Sequence, residues 1–216
     1  GDTFSGFAWQ KNSPKQTVEG CLQDALRPLL DGRSELRLAC AGRTDAGVSA
    51  TGQLVSFYAP ASLDANSLRD ALASPELRLV GARRMCRGYH ATYSTAWRRY
   101  AYFLPAETEA ASVDEAARLD ALLRPLGDGV ARDYAALGRG VPAGKETRML
   151  VRHAAARPVR TRAGDFVTRV DLVGDRWLRR QVRSLVATAV ELADDGSDDD
   201  RRLLDAAASG VPERTA

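Results

Sequence analysis

Two strand-like runs joined by a short link, with a long amphipathic stretch close behind them, constrain this chain more than any other feature. Residues 147 to 160 and 165 to 173 are apolar enough to form strands, and the link "TRAGD" supplies a glycine where the backbone must reverse. So short a link predicts two antiparallel strands. In "RWLRRQVRSLVATAVELA" (176 to 193), Leu178, Val182, Leu185, Val186 and Ala189 form one buried stripe. That spacing predicts the strongest helix of the chain over 176 to 193, ending in the acidic, glycine-containing "DDGSDDD".

The rest of the chain continues the mixture. "TVEGCLQDALRPLL" (17 to 30) has apolar residues at 18, 22, 25, 26 and 29, which predicts a helix buried on one side with Thr17 as its N-cap. Strands are expected over 36 to 40 and 53 to 58. A helix near 64 to 73, ended by Pro75, and a strand over 77 to 86 come next. "STAWRRYAYFLP" alternates, with Trp97, Arg99, Ala101 and Phe103 on one face and Arg98, Tyr100, Tyr102 and Leu104 on the other. Ser112 and Glu115 have capping-box spacing, so a helix is expected to begin there. A short last helix is expected over 199 to 208. The order α-β-β-α-β-β, then α-β-β-α, predicts an α+β fold with mixed, largely antiparallel sheets in two similar halves, residues 1–95 and 96–216.

Composition narrows the chemistry. With 44% hydrophobic and 27% charged residues, the 216-residue chain can bury a core. No apolar run approaches the ~20 residues that cross a bilayer, and no signal-peptide pattern opens the chain, so a soluble cytoplasmic protein is expected. Three cysteines (Cys21, Cys40, Cys86) with no CxxC pair, and only His90 and His153 besides, predict neither a disulfide framework nor a metal site. Lysine occurs only at 11, 15 and 145, so the other 28 of 31 basic residues are arginine. Arginine forks suit phosphates and its planes stack on bases, but high-GC coding enriches arginine as well.

Between two expected strands lies "AGRTDAGVSATGQ" (Ala41 to Gln53). An aspartate before Ala-Gly is common in turns, where its oxygen bonds the backbone two residues on. Here Arg43 lies two residues before Asp45, and Gly42 and Gly47 allow a tight turn or a close approach to a ligand. A carboxylate beside a guanidinium is held ionised and nucleophilic. Both readings, turn residue and reactive carboxylate, fit the residues.

"GRTDAGVSATGQLVSF" closely resembles the signature of the TruA-type tRNA pseudouridine synthases. "FSGFAWQKN" with the following "TVEG" resembles that family's opening strand and first helix. "YHATYSTAWRRYAY" resembles its Phe-His-Ala-Arg segment, and "RWLRRQVRSLVA" its arginine-bearing helix. The resemblance runs from about residue 4 to 190. It implies an activity that converts uridine to pseudouridine in the anticodon stem-loop of tRNA, with no cofactor, because nothing is oxidised and no group is imported. By position it makes Asp45 the catalytic carboxylate, Arg43 its loop arginine, Tyr100 the ring against the target base and Arg183 the helix arginine that pairs with the carboxylate. Arg98, Arg99, Arg179 and Arg180 would meet RNA phosphates. It also implies a central sheet joining the halves with helices on one side, an RNA cleft between them, and a homodimer. Thr92 stands where the pattern has arginine, Ser49 where it often has histidine, and residues 128 to 148 match only loosely. An RNA-binding or tRNA-folding protein on the same scaffold, and a carboxylate-dependent hydrolase, are the competing functions; the second lacks a companion carboxylate motif.

Overall fold

The computed structural model describes residues 1–13, 15–30, 36–195, 203 and 205. The chain divides into two compact units, Gly1–Ala96 and Trp97–Ala216.

In the first unit, α1 (Val18–Leu26) forms where the spacing predicts it. Thr17 is extended, and its hydroxyl accepts the Gly20 N–H at 3.2 Å, which satisfies one donor that the first helical turn leaves open. Pro28 tightens the end into a 3-10 turn, Arg27–Leu29. Leu22 and Leu26 bury against Phe7 and Cys40, with Val55, Phe57 and Leu68 packed around them. The two expected strands are present but short: β1 (Ala39–Cys40) pairs antiparallel with β2 (Val55–Ser56), Ala39 opposite Ser56. Then come α2 (Ala65–Ala71), whose first amides donate to Asp64, and a single turn, α3 (Ala91–Ser94).

Two expected strands of this unit do not form. Neither residues 4 to 9 nor residues 77 to 86 contain a strand. A side chain, not a backbone ladder, holds the second segment: Arg84 Nη2 donates to the carbonyls of Pro60, Ala61 and Leu63 at 3.0, 2.7 and 2.7 Å. Val80 and Met85 are consequently exposed.

The second unit is built on a four-stranded antiparallel sheet in the order β3-β6-β5-β4, comprising β3 (Arg98–Ala106), β4 (Ala131–Asp133), β5 (Arg148–Arg160) and β6 (Phe166–Gly174). The β5–β6 hairpin forms as expected. Arg160 faces Phe166, Gly164 takes φ +100°, and the Thr161 N–H closes the turn on the Asp165 carbonyl at 2.8 Å. A register shift between Val151 and His153 marks an irregularity in β5. The alternation expected for β3 holds, with Tyr102 and Leu104 on the core side and Arg99 and Phe103 exposed. The three-residue β4 is not anticipated by the sequence reading.

Both helices of this unit start away from their expected positions. Helix α4 (Glu109–Leu123) begins before Ser112, because extended Thr108 accepts the Ala111 N–H at 3.1 Å. Ser112 is instead buried against the sheet and donates to the Val167 carbonyl at 2.9 Å. Helix α5 is Gln181–Asp194, so "RWLRR" is not helical. Arg180 is left-handed (φ +59°) and cannot continue a helix backwards, while the buried Gln181 amide accepts the Leu178 N–H at 2.8 Å. Leu119 and Leu123 of α4 and Leu185, Val186 and Ala189 of α5 pack on Ala154, Val170 and Leu172 of one sheet face. Each leucine fully buried there contributes about 1.5–3 kcal/mol. The helix expected over 199 to 208 lies outside the described residues except for Leu203 and Asp205, both helical. Among the described residues, no helix is long and apolar enough to cross a membrane.

Candidate active site

The loop between β1 and β2 is anchored at several points along its length. The Ala41 N–H donates to the Leu54 carbonyl at 2.9 Å, and the Gln53 side-chain amide donates to the Gly42 carbonyl. Further along, the Val48 N–H donates to the Asp45 carbonyl at 3.2 Å around Gly47, which takes φ +78°. The Phe7 N–H donates to the Thr44 carbonyl at 3.0 Å, so residues 5 to 7 run against the loop. Gly6 makes that approach possible. It has φ +95°, and a Cβ there would stand 2.8 Å from the Thr44 oxygen. α3 fastens the strand ends: Thr92 Oγ1 donates to the Cys40 carbonyl at 2.7 Å, and the Ala91 N–H to Ser56 Oγ at 2.9 Å.

Asp45 is half-buried in this loop and Arg43 is exposed. The charge pair suggested by their spacing is not formed among the described residues of the unit, and the Asp45 side chain accepts no hydrogen bond within that unit. An exposed guanidinium would gain little from such a pair, because water screens it. The carboxylate is therefore not spent on the turn it sits in.

The other residues singled out by the sequence belong to the second unit. Tyr100 sits opposite Leu172 on the core side of β3, half-buried, with its ring edge-on to Trp177 at 5.9 Å. Trp177 lies against Gly174, where a Cβ would meet the indole at 3.0 Å, and its Nε1 donates to the Arg98 carbonyl at 3.4 Å. Arg98 in turn donates through Nη1 to the Asp175 carbonyl, and the Asp175 carboxylate accepts the Leu150 N–H at 3.1 Å. Tyr100, Arg98 and residues 175 to 177 thus form one local cluster. Arg99 lies on the opposite face of the sheet, bonded to Asp171. Arg179 and Arg180 are exposed in the turn before α5, and Arg183 is exposed in its first turn. Arg183 makes no ion pair within its unit among the described residues, so its exposed charge carries little desolvation cost there. Trp177, Gln53 and Gly6 were not singled out by the sequence, since each acts through a contact with a residue distant in the chain; Thr92 stood out only as a departure from the family pattern, not for its bond to the Cys40 carbonyl.

A tRNA pseudouridine synthase A of Halobacterium salinarum is 34% identical over 205 residues, covering 90% of this chain and 68% of that protein. The chain belongs to the tRNA pseudouridine synthase A family. A family member from Roseiflexus sp. is 28% identical over 216 residues, covering 93% of this chain and 77% of its own length. The one from Photorhabdus laumondii is 33% identical over 106 residues, and there the matched region spans only 38% of the relative's length. No family model matches the chain. The loop that carries Asp45 is held by backbone and side-chain hydrogen bonds, while the Asp45 side chain stays unbonded within its unit.

Proposed function

We propose that this chain isomerises uridine to pseudouridine in tRNA, at the 3′ side of the anticodon stem-loop, with Asp45 as nucleophile or base. The observation that carries this reading is the loop 41–53, which is fixed in its backbone yet leaves the Asp45 carboxylate unused by the turn. The reaction breaks the N1–C1′ bond of uridine and forms a C5–C1′ bond. N1 gains a proton and C5 loses one, so the atoms balance without any redox partner. Extruding the base costs a few kcal/mol of stacking, which an aromatic ring beneath it offsets in part. Tyr100, edge-on to Trp177, supplies that ring. Arg43 and Arg183 stabilise the charge on Asp45 when substrate is bound, and exposed Arg99, Arg179 and Arg180 meet phosphates. Arg98 is bonded to the Asp175 carbonyl, so its part is to hold the Tyr100 cluster as well as to contact RNA. Action as a homodimer in the cytoplasm belongs to the same reading.

The test is to incubate the protein with an unmodified tRNA transcript and map pseudouridine at each position. New pseudouridine confined to the 3′ side of the anticodon stem-loop supports the proposal. Tight tRNA binding with no modified uridine would assign the chain to RNA binding or RNA folding instead.

A further inference from the structure

The open face of the four-stranded sheet holds a charge arrangement that the Asp45 loop does not explain. On one rung, Asp171 of β6 stands between Ala101 of β3 and Ala155 of β5. Methyl groups on both sides leave room above the carboxylate, and guanidiniums from all three strands reach into it. Arg99 donates to Oδ1 through Nε at 3.2 Å and Nη2 at 2.9 Å, and Arg169 Nη2 donates to the same oxygen at 2.8 Å. Arg157 Nε lies 3.8 Å from Oδ2. The Asp171 side chain is only 7% exposed, whereas Arg99 and Arg157 are 55% and 58% exposed. Phe103, 53% exposed, lies opposite Arg169 on the neighbouring strand, and its ring centroid is 5.7 Å from the guanidinium.

One arginine would neutralise Asp171; three leave two positive charges crowded at one point. Burial raises the carboxyl pKa, but hydrogen bonds from Arg169 and Arg99 outweigh that and hold it below the usual carboxylate range, so the anchor stays charged. Like charges drawn together at a surface repel, and an external anion relieves the repulsion. Arginine forks fixed on a carboxylate keep their remaining N–H groups for such an anion, and planar forks suit phosphate oxygens. Arg169 Nε is buried with no hydrogen-bond partner among the described residues.

We propose that the Asp171-centred cluster of Arg99, Arg157 and Arg169 is a second docking site, which grips backbone phosphates of the RNA substrate on the open face of the sheet. Asp171 is a positioning residue, orienting the forks without touching RNA. This rests on the reading of the chain as a tRNA-modifying enzyme.

The test is affinity for an unmodified tRNA transcript across a salt series, for wild type, Arg157→Ala, Asp171→Asn and, as a control, Arg124→Ala. Arg124 is paired with Asp120 at the end of α4. Thermal unfolding checks that each variant is folded. Removing one phosphate contact should lower the slope of log affinity against log salt by about 0.7–0.9, so Arg157→Ala should show that drop and bind several-fold more weakly. Arg124→Ala should keep the wild-type slope. Asp171→Asn discriminates further: removing a negative charge would by bulk electrostatics tighten RNA binding, but loss of the anchor should weaken it. A wild-type slope in Arg157→Ala, or tighter binding by Asp171→Asn, overturns the proposal and leaves the pseudouridine reading intact. A changed dimer fraction at unchanged slope assigns the face to a second copy of the chain and overturns it too. Wild-type protein that binds no tRNA at any salt removes the functional reading and this inference together.

Discussion

Among the described residues, the β1–β2 and β5–β6 connections each join an antiparallel pair and each contain an aspartate, but they treat it in opposite ways. Between β5 and β6, Asp165 is consumed by its turn. Thr161 Oγ1 donates to its carboxylate at 3.2 Å, its own N–H returns to Thr161 Oγ1 at 3.1 Å, and its carbonyl accepts the Thr161 N–H. Between β1 and β2, the backbone is fixed by Ala41, Val48, Gln53 and the neighbouring Phe7, and Asp45 is left over. A turn aspartate is ordinarily explained by its turn. The second loop needs a different explanation, and the proposed catalytic role of Asp45 is one.

The largest effect should separate the scaffold from the loop. Leu172→Ala, in the buried centre of β6, should cost about 2–5 kcal/mol in chemical denaturation through lost burial and the cavity left behind. Gly6→Ala comes next. Its Cβ would press on the Thr44 carbonyl at a positive φ, so about 1–3 kcal/mol of strain is expected, with pseudouridine formation falling more steeply than Leu172→Ala reduces it at a temperature where both are folded. Equal activity loss in the two would break the idea that the loop geometry matters separately. The aspartates give a direct contrast: Asp165→Ala should lower stability by about 0.5–1.5 kcal/mol, whereas Asp45→Asn should leave the unfolding midpoint unchanged. A destabilised Asp45→Asn would mean that the turn uses this carboxylate after all.

A smaller effect should appear in acid. The folded carboxyl of Asp171 sits below its ordinary value, so its ion pairs contribute stability that is fully present above about pH 4. That contribution is lost as pH falls through the folded value. The stability difference between wild type and Asp171→Asn should therefore be constant near neutrality and shrink below pH 4 in a denaturation series; a gap that widens in acid would reverse the assigned sign.

The contrast between the two turns also marks what could be read from the chain alone. The β5–β6 hairpin, the alternation of β3 and the Thr17 cap depend on neighbours a few residues away, so periodicity and turn chemistry exposed them. The start of α5 depends on Gln181, buried beside Met149 at 3.0 Å across 32 residues, and on the left-handed Arg180. No local pattern encodes either. Ser112 looked like a cap because of its spacing from Glu115, but its hydroxyl is used by Val167, far along the chain. At the candidate site, the loop and its aspartate were legible as a signature. Its supports were not, because Gly6, Gln53 and Thr92 act on carbonyls brought close only by folding.

The most direct measurement is the rate of pseudouridine formation in an unmodified tRNA by wild type and Asp45→Asn, alongside their tRNA affinities and unfolding curves. The expected result is no detectable pseudouridine from Asp45→Asn, with tRNA binding and unfolding unchanged. Pseudouridine formed by Asp45→Asn at the wild-type rate would contradict the assignment of the chemistry to this carboxylate.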